Sequence, residues 1–153
     1  SLPNGILALM HGPYPGGVYN DLSMLEISGI LDMLWSFTEI NGVRYFLYGD
    51  RGYSIEPGLI PPFPRASSMS DREKIFNSRM SSVRVSVEWT FGKIKSLFPF
   101  LDVAHKLRIG SMPLGSHYLI ATLLTNCHSC LYGSESAQYF NCPAPELEYY
   151  LRE

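Results

Sequence analysis

The sequence predicts an α/β domain with a helical C-terminal part. Two apolar runs, Ile6–Met10 and Arg44–Tyr48, have the length and composition of short strands. Ser70 to Phe98 reads as one long helix, and Ser116 to Leu131 as another. The chain divides on this reading into a strand–helix–strand region (1–64), a basic loop with the long helix (65–98) and a helical C-terminal region (99–153).

Asn4-Gly5 is a turn signal ahead of the first strand, and residues 11–17, HGPYPGG, form a loop dense in breakers. A helix is expected from about Asp21 to Thr38, with Leu22, Leu25 and Gly29 along one side and Leu31 and Leu34 widening the face. Asn20 or Asp21 can cap it, and Asn41-Gly42 closes the unit. The strand at 44–48 carries aromatic residues on both faces, which predicts a central strand covered on both sides. It runs directly into Gly49-Asp50-Arg51-Gly52-Tyr53. Residues 54–69 contain Pro57, Pro61, Pro62 and Pro64 and are irregular, apart from a possible edge strand at Leu59-Ile60.

The long helix opens with a capping box, Ser70 followed three residues later by Glu73. Phe76, Met80, Val83, Val87, Phe91, Ile94 and Phe98 follow at steps of three and four, which places them on one stripe. A polar stripe holds Asn77, Ser81, Arg84, Glu88 and Lys95. Pro99 ends the helix. Residues 100–113 form a basic connector, Gly133 stops the helix after it, 134–142 read as loop, and Pro145–Leu151 as a short terminal helix.

The chain has 153 residues, 46% hydrophobic and 17% charged, a globular composition. A net charge of −2 argues against a general nucleic-acid binder. The distribution is uneven, however. Residues 65–108 hold nine basic and four acidic residues, against two and six before them and one and four after. Positive charge is thus concentrated around the long helix, where it can face a phosphate backbone or simply form a solvated surface. Three cysteines do not make a disulfide framework, which suggests a reducing compartment. Cys127-His128-Ser129-Cys130 has the gap of a zinc knuckle but no second pair, so buried thiols are the simpler reading. No apolar run is long enough to span a membrane and no signal peptide is visible.

Asp50 and Glu88 are the candidate chemical residues. Asp50 lies just past the carboxyl end of a strand, where α/β sheets place ligand groups, although Asp-before-glycine turns supply the same pattern. Glu88 is one turn from Arg84, and a surface ion pair of about 0.3–0.5 kcal/mol would explain the two equally well. Together, an Asp at a strand end and a Glu on a following helix are parts of a two-metal site for phosphodiester cleavage, using Mg²⁺ or Mn²⁺. Such a site wants a third carboxylate. Asp21 is a candidate metal ligand, with a helix cap as its structural explanation.

Several motifs, in order, resemble the catalytic domain of PIF/Harbinger-type transposases of the DDE superfamily. They are Gly12–Asp21 (GPYPGGVYND), Leu47–Tyr53 (LYGDRGY), Phe76–Ser81 (FNSRMS) and, above all, Arg84–Lys95 (RVSVEWTFGKIK). The Leu-Thr-Asn-Cys-His segment at 124–128 and the terminal Pro-x-Leu-Glu-x-Tyr-Leu run agree with it. The resemblance implies an RNase H-like fold, with Asp50 and Glu88 as the second and third metal-binding carboxylates and 37 residues between them. It implies that the first aspartate and first strands precede this sequence, so that the domain is incomplete. Asp21 matches a different family aspartate, whose preceding histidine is Asn20 here. Arg84, Lys93 and Lys95 would orient Glu88 or touch DNA phosphate.

Two functions follow as expectations. One is part of a metal-dependent DNA endonuclease or transposase, inactive as this chain alone. The other is an inactive or domesticated remnant that binds DNA or protein. Family resemblance implies a Myb-like DNA-binding partner and a nuclear location, with the cytoplasm as the alternative and secretion excluded.

Overall fold

The computed structural model describes residues 1–12, 21–66, 68–101 and 114–152. It divides into two compact units whose boundary falls inside the long helix: Tyr14–Arg84 form one, Ser1–Pro13 with Val85–Glu153 the other. The predicted loop at 11–17 lies mostly outside the described residues, as do the Asn20 cap, the Asp21 side chain and nearly all of the basic connector.

In the first unit the helix expected over 21–38 is two helices, α1 (Asp21–Ser28) and α2 (Ile30–Phe37). Gly29 between them has φ 64°, a left-handed conformation that costs glycine little and breaks the helical path. Ser28 reinforces the break: its Oγ donates to the Leu25 carbonyl and accepts from the Ile30 N–H. A hairpin follows, β1 (Glu39–Ile40) against β2 (Val43–Arg44), joined by Asn41-Gly42 with both φ positive. That is the turn chemistry Asn-Gly favours.

The single strand expected at 44–48 is corrected to two. Val43–Arg44 pairs with β1, whereas β3 (Leu47–Tyr48) pairs in parallel with β4 (Leu59–Ile60). The chain changes partner at Tyr45–Phe46. Arg44 explains why: its guanidinium stacks 4.1 Å from the Trp35 ring centroid, bonds the Trp35 carbonyl and pairs with Glu39, so it is held to the hairpin. Nor are both faces covered, since Tyr45, Phe46 and Leu47 are exposed. The edge strand at 59–60 is present as predicted.

The long helix, α3, runs Asp71–Leu97, and its capping box is formed. Glu73 Oε2 accepts from the Ser70 N–H and hydroxyl at 2.7 Å each, while the Ser70 Oγ faces the Glu73 N–H at 3.4 Å. These bonds from Ser70 hold the Glu73 carboxyl below its ordinary pKa. The buried stripe of the later turns differs from the expected one. Ser86, Thr90 and Ile94 are buried, and Val83 and Phe91 are exposed. Small side chains at 86 and 90 suit close packing: the Ser136 hydroxyl donates to the Ser86 carbonyl at 3.2 Å.

The second unit is built around Ile94, Leu101 and Ala121, with Leu7, Phe98 and Tyr118 packed against them. Pro99–Leu101 makes a 3₁₀ turn after α3, and α4 runs Leu114–Tyr132 before Gly133, close to expectation. Residues 135–139, expected as loop, form α5 (Glu135–Tyr139), capped by Ser134 Oγ accepting from the Ala137 N–H. The terminal helix is α6 (Leu147–Tyr150).

Among the described residues 6–10 form no strand. The Leu7 backbone is instead bracketed by one side chain. Asn126 Oδ1 accepts from the Leu7 N–H at 2.9 Å, and its Nδ2 donates to the Leu7 carbonyl at 3.0 Å and to the Tyr150 hydroxyl at 2.9 Å. Asn126 is fully buried, so loss of its amide strands three polar groups.

Two predictions follow. Asn126→Ala should destabilise the chain by about 2–4 kcal/mol in urea denaturation, and Tyr150→Phe by about 1 kcal/mol or less; equal costs would deny the bracket its role. Because the Glu73 pKa is lowered on folding, the contribution of the capping box is present above the unfolded pKa and lost as pH falls through the folded one. Ser70→Ala should raise the Glu73 pKa, as followed by carboxyl NMR titration.

Candidate active site

Asp50 is positioned by the parallel pair β3–β4. The Leu47 N–H bonds the Gly58 carbonyl at 2.8 Å, and the Gly49 N–H bonds the Ile60 carbonyl at 3.0 Å. The ladder therefore ends one residue before Asp50. The Tyr53 N–H then bonds the Asp50 carbonyl at 3.1 Å, folding residues 50–53 into a turn. Gly49 permits this: a Cβ there would stand 2.9 Å from Tyr53 Cδ2 and 3.2 Å from Leu59 Cδ1.

The first half of α3 is fixed against this strand pair. Asn77 repeats the bracket seen at Asn126: its Oδ1 accepts from the Phe63 N–H and its Nδ2 donates to the Phe63 carbonyl, both at 2.9 Å. The Phe76 ring meets Tyr48 edge-on at 5.9 Å and Phe63 at 5.4 Å. Two turns beyond Phe76, Arg84 Nη1 lies 3.6 Å from Asp50 Oδ1. Both side chains are substantially exposed, 42% and 59%, so water screens the pair and its stabilising effect is about 0–1 kcal/mol. Asn77 and Phe63 place α3 beside Asp50, yet the sequence marks Asn77 only as a member of a polar stripe and of the Phe76–Ser81 motif.

Glu88 is exposed on α3, one turn past Arg84. Within the second unit it lines a groove of about 690 Å³ together with Trp89, Lys93, His128, Tyr132 and Gln138. Lys93 does not point its charge into open solvent. Its Nζ donates to the Gly133 carbonyl at 2.7 Å and to Ser129 Oγ at 3.0 Å, at the C-terminal end of α4. Partial burial pushes its pKa down, and Glu135 offsets part of that. Lys95 is exposed, and Asp21 is the first residue of α1.

Among the described residues, no three His, Cys, Asp or Glu side chains converge as a metal cage. Cys127, Cys130 and Cys142 are free and half-buried, and burial together with Cys127 pushes the Cys130 thiol up. The Asp50 donor set is carboxylate oxygen open to water. That chemistry fits Mg²⁺ or Mn²⁺, which bind through one or two carboxylates and retain waters for substrate phosphate to displace.

A family model described as DDE superfamily endonuclease matches residues 1–126, most of the chain and all of the elements just described up to the middle of α4. The chain belongs to that family. Membership implies an RNase H-like fold, and it places the chain among transposase-related nucleases that act on DNA, a family that typically uses divalent metals. No curated protein and no solved structure gave a match. Among the described residues of this DDE endonuclease chain, no helix is long and apolar enough to cross a membrane.

Lys93 provides the test of this geometry. If its ammonium serves the end of α4, Lys93→Ala should cost about 1 kcal/mol in denaturant melts, the scale of a charged but partly exposed hydrogen bond. It should leave any Mn²⁺-induced rise in melting temperature as it is in the parent.

Proposed function

We propose that this DDE endonuclease chain is of the Harbinger type and supplies Asp50 and Glu88 to a divalent-metal site that cuts or transfers DNA phosphodiesters. The observation that carries the reading is the placement of Asp50. It stands directly after the β3–β4 ladder, open to solvent, with a cation of α3 facing it. Glu88 follows that cation by one turn of the same helix. Two metal ions bound there would supply an activated attacking oxygen and a stabilised leaving oxygen. The role of the chain is to hold carboxylate oxygens at the ions, with Asp21 as a further candidate ligand. Arg84 and Lys95 would meet phosphate, whereas Lys93 acts on α4. DNA is the substrate in this reading, and a Myb-like DNA-binding protein in the nucleus is the partner it implies.

The alternative is an inactive or domesticated remnant that acts as a DNA- or protein-binding module. Plasmid nicking by a chain extended upstream to supply the first aspartate and strands separates the two. Mn²⁺-dependent nicking lost in Asp50→Ala supports the nuclease, and DNA retention with neither cleavage nor metal response supports the module.

The metal site is tested by thermal melting with and without millimolar Mn²⁺. Two carboxylates near one another repel when no ion is present. Glu88→Gln should therefore leave the metal-free melting temperature unchanged or raise it, while shrinking the Mn²⁺-induced rise, since a ligand stabilises in proportion to its binding to the folded state. Equal shifts in parent and variant would remove Glu88 from the site.

A further inference from the structure

The Asp50–Arg84 pair joins a carboxylate at the end of a strand to a guanidinium on the helix that carries Glu88. As a stabilising device it is poor. The atoms are 3.6 Å apart, beyond the usual length of a charge-assisted hydrogen bond, and both side chains are largely in water. As a source of local positive potential it is well placed. A guanidinium beside a carboxylate offers the same electrostatic relief that a bound cation offers.

We propose that Arg84 is a built-in stand-in for the divalent ion: it neutralises Asp50 in the metal-free protein and must yield that carboxylate before an ion can bind. This rests on the proposed metal site. Arg84 and a divalent cation are then competitors for Asp50, and they repel one another. Two consequences follow. The site trades one cation for another rather than leaving Asp50 a bare carboxylate. And the displaced guanidinium, still anchored one turn before Glu88, is released next to the place where substrate phosphate would arrive. Loose geometry is what such an exchange requires, because a tight bidentate pair would hold Asp50 against the ion.

The sign of the effect separates this role from a supporting one. A residue that merely orients Asp50 helps the metal, so its removal weakens binding. A competing cation hinders the metal, so its removal tightens binding. The test is Mn²⁺ binding to the 153-residue chain at low ionic strength, by isothermal titration calorimetry and by the electron paramagnetic resonance signal of free Mn²⁺. The proteins are the parent, Arg84→Gln, Arg84→Lys and Asp50→Asn. Arg84→Gln should raise affinity by roughly three- to tenfold at low salt, with the gain shrinking as salt screens the charges. Arg84→Lys keeps the charge and should stay near the parent. A fifth protein, Asp50→Asn combined with Arg84→Gln, should bind Mn²⁺ no better than Asp50→Asn alone.

Weaker binding by Arg84→Gln would overturn the proposal, as would binding equal to that of the parent while Asp50→Asn still loses the ion. In either case the metal site itself stands. Absence of Mn²⁺ binding in both parent and Arg84→Gln overturns the site and the stand-in together. Binding that appears only in Arg84→Gln and disappears again in Asp50→Asn would support both. Circular dichroism of each variant, with unchanged helix content expected, guards against a folding defect being read as a change in affinity.

Discussion

A side-chain amide doing the work of a β-strand neighbour is the interaction on which each unit depends. A carboxamide carries a donor and an acceptor side by side, the same pair that a peptide group presents across a ladder. Asn126 uses both on Leu7, and Asn77 uses both on Phe63. Each asparagine sits on a helix and grips an irregular segment by its backbone. Helix and chain are thereby joined at a defined register without a sheet between them. None of the strands among the described residues is long enough to supply register by itself: β1 to β4 have two residues each. Burial makes the Asn126 bracket costly to lose, whereas Asn77 works nearer the surface.

Around these brackets the packing is modest. A small core of Ile94, Leu101 and Ala121 joins α3, the 3₁₀ turn and α4, and many large apolar side chains remain in water. The polar contacts consequently decide the details. Lys93 closes the end of α4, Ser134 starts α5, and Arg44 holds the first hairpin to α2. Asp50, by contrast, is held in place by backbone bonds on either side of it, so that its carboxylate remains exposed. The site is thus framed by groups other than the one that would do its chemistry.

Signals confined to a few neighbouring residues were the most legible in the sequence. The Ser70–Glu73 box, the Asn41-Gly42 turn, the stop at Gly133 and the edge strand at Leu59-Ile60 all depend on local backbone chemistry, and all are present. The ordered motifs identified the family at the level of the DDE endonucleases. What failed depended on distant partners. The apolar run at 6–10 looks like a strand, but its partner is an asparagine 119 residues away. The run at 44–48 looks continuous, but Arg44 commits its beginning to the Trp35 side of the hairpin while Leu47 belongs to another pair. Gly29 falls at helical spacing from Leu22 and Leu25, and only its positive φ reveals the break. Ser134 is a good capping residue type, but 134–142 reads as loop because α5 is only five residues long. Asp50 could be placed at a strand end from sequence; that Arg84 would face it could not, because α3 reaches Asp50 through Phe76 and Asn77 contacts that no spacing rule encodes.

The two units also differ in how they can form as the chain emerges during synthesis. Tyr14–Arg84 is one continuous stretch, and its Asn77–Phe63 bracket spans only 14 residues. It can gather its contacts early, with short loops to close. The other unit is discontinuous: Leu7 waits for Asn126, Asn126 for Tyr150, and Asn4 for Ser134. Until α4 is made, the Leu7 backbone lacks its Asn126 bracket, and Ile94 on the later half of α3 lacks Ala121. Translation thus imposes an order, with the Asp50–Arg84 half able to assemble first and the half bearing Glu88 completed only after the distant C-terminal helices arrive.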